Sequence, residues 1–141
     1  MCKGRWLKAE KIILRDASSA FDYASSAIKC RWPEAEDVIR SNPIEAGNYA
    51  EFVIRGPWPE AEDVIRTDAS AACWYAAFVL RRRWPEAEDV IRSNPEYAFN
   101  YALNVIKGRW PEAEDIIRGS GYVRRYEEDI LKGPWSEIET K

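Results

Sequence analysis

The sequence predicts an all-α protein, an α-solenoid of about five tandem two-helix repeats with capping end units. The first observation is a series of six tryptophans spaced 26, 26, 26, 26 and 25 residues apart: Trp6, Trp32, Trp58, Trp84, Trp110 and Trp135. The second is the segment Trp-Pro-Glu-Ala-Glu-Asp-Val-Ile-Arg, which stands unchanged at 32–40, 58–66 and 84–92 and returns at 110–118 with one Val-to-Ile change. The third is helical hydrophobic spacing twice in each unit. The chain 1–141 is therefore one predicted helical-repeat domain, with repeats at 5–30, 31–56, 57–82, 83–108 and 109–133 and a partial repeat at 134–141.

The first helix of each unit is predicted to follow its tryptophan, roughly at residues 33–40 in the second unit. Pro33 suits a first helical position, and the acidic residues after it suit the positive end of the helix dipole. One face carries Trp32, Ala35, Val38 and Ile39. Glutamate and arginine recur four residues apart, which predicts salt bridges along the helix. These pairs are Glu36–Arg40, Glu62–Arg66, Glu88–Arg92 and Glu114–Arg118.

The second helix is predicted at roughly 43–55, where Asn42 can cap it and Pro43 can begin it. Gly56 stands where a helix C-terminal glycine is expected. The apolar stripe of this helix is Ala46, Tyr49, Ala50, Val53 and Ile54. Helices this short are marginal alone, so each pair is expected to bury its stripe on the next pair.

The end units depart from the pattern, as capping units do. In the first unit, Leu7-Lys8 replaces Pro-Glu. The fifth unit is one residue short, with Gly119-Ser120-Gly121 at its turn and a more polar second helix. The sixth stops after one short predicted helix, 134–141, which is expected to cover the last layer.

Composition argues against an enzyme. The chain has no histidine, so histidine-based acid–base and nucleophilic chemistry and the commonest zinc ligand are excluded. The acidic residues recur unit by unit, and a catalytic dyad would have to appear four times. No phosphate-binding glycine loop is present, and no cofactor or metal is expected. The three cysteines fit no metal spacing, and Cys30 and Cys73 are interpreted as small-residue substitutions. Without a secretory signal or an apolar span, the expectation is a soluble cytoplasmic protein with no membrane association.

The tryptophan series has two interpretations. The rings could form a stacking platform for nucleic-acid bases, or they could pack each hairpin on its neighbour. Arginines precede four of them, at Arg5, Arg31, Arg83 and Arg109, but Pro57 and Pro134 interrupt this series. Mixed charge with a net of −3 also argues against a nucleic-acid partner. The structural interpretation is favoured.

Residues that differ between units are the candidates for a binding site. Trp74 occupies an outward position that is Asn48, Asn100 or Arg125 in other units. Aromatic residues at interaction surfaces are frequent binding hot spots. The predicted partner-binding residues are Trp74, Phe52, Phe78, Tyr97 and Phe99. For Phe52 and Phe78 the alternative, packing between layers, stays open.

The units resemble short helix-pair repeats found in proteins of bacteriophages and bacteria. The matching segments are 32–37, 58–63, 84–89 and 110–115, with the tail clearest at 101–102 and 105–108. The layout is more loosely similar to tetratricopeptide and Sel1-like solenoids, and that resemblance implies binding of proteins or peptides. The phage resemblance implies a partner in the host cell, including a defence component.

Three functional hypotheses follow. The first is a non-enzymatic protein–protein interaction module, and the second is a nucleic-acid- or nucleotide-binding repeat protein that uses Arg–Trp pairs. The third is self-association through an uncapped end of the solenoid, so that the protein is a monomer or a homodimer.

Overall fold

The computed structural model describes residues 4–136, and the regular structure within them is entirely helical. The prediction of an all-α repeat fold is confirmed. The described residues contain ten α-helices: α1 Leu7–Ile13, α2 Ala17–Asp22, α3 Glu36–Ile39, α4 Pro43–Tyr49, α5 Pro59–Ile65, α6 Ala69–Tyr75, α7 Pro85–Ile91, α8 Pro95–Tyr101, α9 Glu114–Arg118 and α10 Val123–Tyr126. Odd-numbered helices are the first of each unit and even-numbered helices the second. Cys2 and the predicted helix beyond residue 136 lie outside the described residues.

Each second helix is longer than its α-helical part, because it continues into π-helical turns. These continuations are Tyr23–Ile28, Ala50–Ile54, Ala76–Leu80, Ala102–Ile106 and Glu127–Leu131. Two first helices begin with a 3₁₀ turn, Pro33–Ala35 before α3 and Pro111–Ala113 before α9. A π-helical turn holds one more residue than an α-helical turn, so side chains after it point in directions that an ideal α-helix does not predict.

Asx caps begin the second helices of the first four units, as the sequence predicts, whereas α10 has no side-chain cap. The Asn42 side chain accepts hydrogen bonds from the backbone N–H groups of Ile44 and Glu45 at 2.9 and 3.2 Å. Asp68 accepts one from Ala71 at 2.8 Å, although its unit lacks the proline. Such a cap contributes about 1 kcal/mol to a helix that could not form alone.

The hairpins stack in tandem. Each of α2, α4 and α6 packs against both the first and the second helix of the following unit, and α8 packs against α9. Small residues such as Ala46, Ala72 and Ala98 are fully buried on the second helices, which lets neighbouring helices approach closely. The buried residues form one continuous core along the stack.

The prediction that Gly56 is the glycine that ends the second helix is wrong in its detail. The residue before it, Arg55, adopts the left-handed conformation, and Gly56 does not. The equivalent left-handed residues are all basic, with φ between 53° and 63°: Lys29, Arg55, Arg81, Lys107 and Lys132. A left-handed residue other than glycine costs about 1–2 kcal/mol. A positive charge beside the last helical carbonyls offsets part of that cost.

The two internal cysteines differ in state. Cys73 is a buried free thiol, and burial raises its pKa to about 12. Its interpretation as a small core residue agrees with this environment. Cys30 is disulfide-bonded, so small size alone does not explain its presence.

The salt bridges along the first helices are not the predicted ones. Arg66 and Arg92 pair with aspartates three residues earlier, Asp63 at 2.7 Å and Asp89 at 2.5 Å, and Arg40 likewise pairs with Asp37. The glutamates of the predicted pairs instead accept hydrogen bonds from tyrosine hydroxyls of the second helices. In units two, four and five they meet the arginine that precedes the tryptophan.

One tyrosine hydroxyl in each second helix is expected to contribute strongly to the free energy of unfolding. In Tyr75→Phe, the buried Trp58 N–H loses its acceptor and Glu62 loses a donor, which should lower the free energy of unfolding by about 1–3 kcal/mol. Urea unfolding followed by circular dichroism measures the change. Tyr97→Phe is the control, since Tyr97 is half-buried and the tyrosine that bonds the tryptophan N–H and the glutamate in its unit is Tyr101. Equal losses in the two variants would contradict the expectation.

Candidate interaction surface

A partly buried network of hydrogen bonds holds the backbone of the tryptophan in the first five units. In the second unit, the Tyr49 hydroxyl accepts a hydrogen bond from the Trp32 backbone N–H at 2.7 Å. The same hydroxyl donates to the Glu36 carboxylate at 2.9 Å. Arg31 closes the network with two hydrogen bonds to Glu36, at 3.0 and 2.7 Å. The second helix is therefore bonded to both ends of the first helix's opening turn.

The network recurs in the other units. The first, fourth and fifth units reproduce all its bonds, through Arg5–Glu10–Tyr23, Arg83–Glu88–Tyr101 and Arg109–Glu114–Tyr126. In the third unit Pro57 replaces the arginine, but Tyr75 still bonds Trp58 and Glu62. The backbone N–H of Trp135 donates instead to the Glu127 carboxylate at 2.8 Å.

The network shifts the pKa values of its members. Burial raises the pKa of the Glu36 carboxyl, but the hydrogen bonds from Arg31 and Tyr49 outweigh burial and hold it below its usual value. The pKa of Glu88 and of Glu114 is lowered by the same balance. Burial is also the main reason that the pKa of the Tyr49 hydroxyl lies well above its ordinary value.

The tryptophan rings couple neighbouring units. Trp58 packs on Tyr49 of the preceding unit with ring centroids 5.0 Å apart, and Trp84 packs on Tyr75 at 5.1 Å. Trp32, Trp58, Trp84, Trp110 and Trp135 are at most 6% exposed. These five rings thus lie in the core, and the arginines before Trp32, Trp84 and Trp110 are bonded to carboxylates. Neither half of the Arg–Trp series is arranged as an open stacking platform.

Three of the five predicted site residues form an exposed cluster, called here the aromatic patch: Phe52, Trp74 and Phe78. Their exposed fractions are 56%, 53% and 42%. The Trp74 and Phe78 rings lie 4.4 Å apart between centroids, and Phe52 contacts Phe21 at 6.5 Å. Phe52 thus combines an exposed ring with a contact to the preceding unit, whereas the ring contact of Phe78 with Trp74 lies within its own unit.

The other two predicted site residues lie elsewhere. Phe99 is fully buried, stacks on Tyr122 at 5.8 Å and is covered by the Arg125 guanidinium. Tyr97 is half-buried against the core. Phe99 therefore contributes to packing of the fourth unit on the fifth, and the structure does not bring it to the aromatic patch.

Two depressions border the aromatic patch. One, of about 550 Å³, is lined by Phe52 and Phe78 together with the basic residues Arg55 and Arg81. The other is a narrower cavity of about 200 Å³ beside Trp74, with Gly47, Asn48 and Glu51 in its lining. Both are lined by Glu51 and Val79, so they adjoin. Sequence reasoning missed Gly47 and Glu51, although both depart from the residues at the same position in neighbouring units.

Residues 4–136 contain no group of three or more histidine, cysteine, aspartate or glutamate residues placed to hold a metal ion. Over the same range, no helix combines the length and the apolar character needed to cross a membrane. Comparisons with protein-family models, curated proteins and solved structures find no match.

The lowered glutamate pKa values predict acid sensitivity. A carboxyl whose pKa is lower in the folded state stabilises the fold above its unfolded pKa of about 4.3, and this stabilisation is lost as the pH falls through the folded value. The urea midpoint should therefore drop between about pH 5 and pH 2. Glu88→Gln should be less stable at neutral pH and should flatten this dependence. An unchanged slope in the variant would show that Glu88 does not contribute.

Proposed function

We propose that this protein is a non-enzymatic helical-repeat module that binds a protein partner through the aromatic patch. The exposure of Trp74 carries the proposal. Every other described tryptophan after Trp6 is buried in the core, whereas Trp74 stands on the surface in contact with Phe78. Exposed aromatic clusters on globular proteins are frequent interaction sites, and tryptophan is enriched among their hot spots.

The surroundings of the aromatic patch support a protein ligand. The depression between Phe52 and Phe78 is flanked by Arg55 and Arg81, which provide polar contacts around an apolar centre. This arrangement of apolar centre and polar rim is typical of protein–protein interfaces. The resemblance of the repeats to phage proteins supports a partner from a host cell.

The experiment is affinity capture from host-cell lysate, followed by purification of the enriched protein and calorimetry. Trp74→Ala and Phe78→Ser should each weaken binding by about tenfold or more, because each removes an exposed aromatic contact. Their melting temperatures should change by less than about 4 °C, since neither side chain is core.

Asn100→Ala is the matched control, since Asn100 occupies the position of Trp74 in the next unit and should leave affinity unchanged. Undiminished affinity in Trp74→Ala would contradict the proposal. A large decrease in the melting temperature of that variant would also contradict it. Capture of nucleic acid with an affinity that falls steeply with salt would favour the Arg–Trp hypothesis instead.

Self-association is a second candidate, favoured by the first described unit. Trp6, Leu7 and Ile12 are 68%, 67% and 68% exposed. Trp6 differs in this respect from the five later tryptophans of the series, which are at most 6% exposed. A second copy of the chain would cover this exposed surface, and a dimer in which both copies use the same surface would not grow further.

Light scattering coupled to gel filtration tests the dimer. If the exposed surface at Trp6 pairs, the wild type should elute at twice the chain mass, and Trp6→Ser should elute as a monomer. Phe52→Ser is the control, since it removes an aromatic residue that is similarly exposed and distant in sequence. A monomeric wild type at all concentrations would exclude this candidate.

A further inference from the structure

The narrower cavity beside Trp74 lies between the second helices of the second and third units. From α4 it is lined by Ile44 and Gly47, and from α6 by Trp74. Glu51, one turn beyond Gly47, forms part of its wall. The cavity is thus formed by two successive units and has one acidic side chain.

Gly47 accounts for the space. The same position is Phe21 in the first unit, Cys73 in the third and Phe99 in the fourth. A Cβ built on Gly47 would meet nothing within 4 Å, so glycine is not needed there to avoid a clash. The φ angle of Gly47 is not positive either, so the backbone does not require glycine. What glycine provides at this position is an open cavity.

Glu51 is held in the cavity wall with an unused acceptor. Its Oε2 atom is buried and has no hydrogen-bond partner. Burial raises the pKa of the Glu51 carboxyl, and a hydrogen-bonding interaction with the Trp74 side chain partly offsets that effect. The equivalent residues in the first, third and fourth units are Ser25, Ala77 and Leu103, so the repeat itself does not require an acid.

A buried acceptor without a partner costs about 1–3 kcal/mol, and a cation that reaches it recovers that cost. An indole ring adds attraction for an ammonium group placed over its face. An ammonium is compact, whereas a guanidinium is a broad plane that needs a matching fork of acceptors. Glu51 offers one oxygen without a hydrogen-bond partner, and the apolar Ile44 side chain offers contact for an aliphatic stem.

We propose that this cavity binds the side chain of a lysine, with its ammonium group at the unpaired Oε2 of Glu51 beside Trp74 and its methylene stem along Ile44. The inference rests on the proposed function, because the lysine belongs to the protein partner that covers the aromatic patch. It assigns to the patch a polar specificity contact, while Phe52 and Phe78 provide apolar contact area.

The test is a nuclear magnetic resonance titration of the ¹⁵N-labelled protein, read at the Trp74 indole N–H signal, which Trp74→Phe identifies. The probes are N-acetyl-lysine methylamide and N-acetyl-norleucine methylamide, which share the aliphatic stem and differ in the ammonium group. The lysine probe should shift the signal saturably, with affinity about tenfold or more above that of norleucine. Equal affinities, or no shift with lysine, would overturn the inference.

Two variants test the cavity itself. Glu51→Gln keeps the shape and removes the charge, and should weaken the lysine probe about tenfold. Gly47→Phe fills the cavity and should abolish binding, and the phenylalanines at the same position in two other units make it a substitution that the fold accommodates. Glu128→Gln is the control, since Glu128 is the exposed counterpart of Glu51 in the fifth unit. Unchanged binding in Glu51→Gln would overturn the inference.

The captured partner separates the two proposals. Loss of partner affinity in Trp74→Ala together with Glu51→Gln and Gly47→Phe supports both. Loss in Trp74→Ala with full affinity in the other two overturns the lysine site and leaves the interaction module intact.

Discussion

The fold depends on what one tyrosine per unit does. Its hydroxyl accepts the N–H of its own unit's tryptophan and donates to a glutamate of the same first helix, which joins the two helices of a hairpin. Its ring packs on the tryptophan of the next unit, which joins two hairpins. The helices are too short to persist alone, so neither connection is sufficient without the other. The tyrosine therefore links secondary structure to stacking, and nearest-neighbour contact of this kind is how repeat proteins gain stability.

The repeated residues and the unit-specific residues have different places in the molecule. Tryptophan, alanine and isoleucine of the first helix and tyrosine of the second are buried in nearly every unit. The departures from the repeat at Gly47, Glu51 and Trp74 meet at one boundary, between α4 and α6. Because the core needs none of these three, their joint presence around one cavity points to recognition, and the arrangement supports the proposed interaction module.

Periodicity was sufficient to predict the helices, their Asx caps and the buried stripe, since those follow from local spacing. It failed where a side chain's partner lies outside its own helix. Glu36 meets Arg31, which precedes the helix, so an i, i+4 rule could not find the pair. Phe99 lies in the regular helix α8 and is nevertheless buried, because Tyr122 and Arg125 of the next unit cover it. The cavity was missed because its signal is a missing side chain, and glycine draws attention only where a turn or a positive φ is expected.

The contacts between successive units are nearly the same at each boundary, and this affects which insertions and deletions the chain can accept. Removing or inserting one 26-residue segment within the near-identical stretch would rejoin a tyrosine to a tryptophan with the same surroundings. Array length is therefore weakly constrained by packing. The cavity is constrained differently, because Gly47 and Glu51 must come from the unit immediately before Trp74. Recombination between units that preserves the fold would separate them. The proposed binding site thus depends on which unit precedes which, a requirement that the fold itself does not impose.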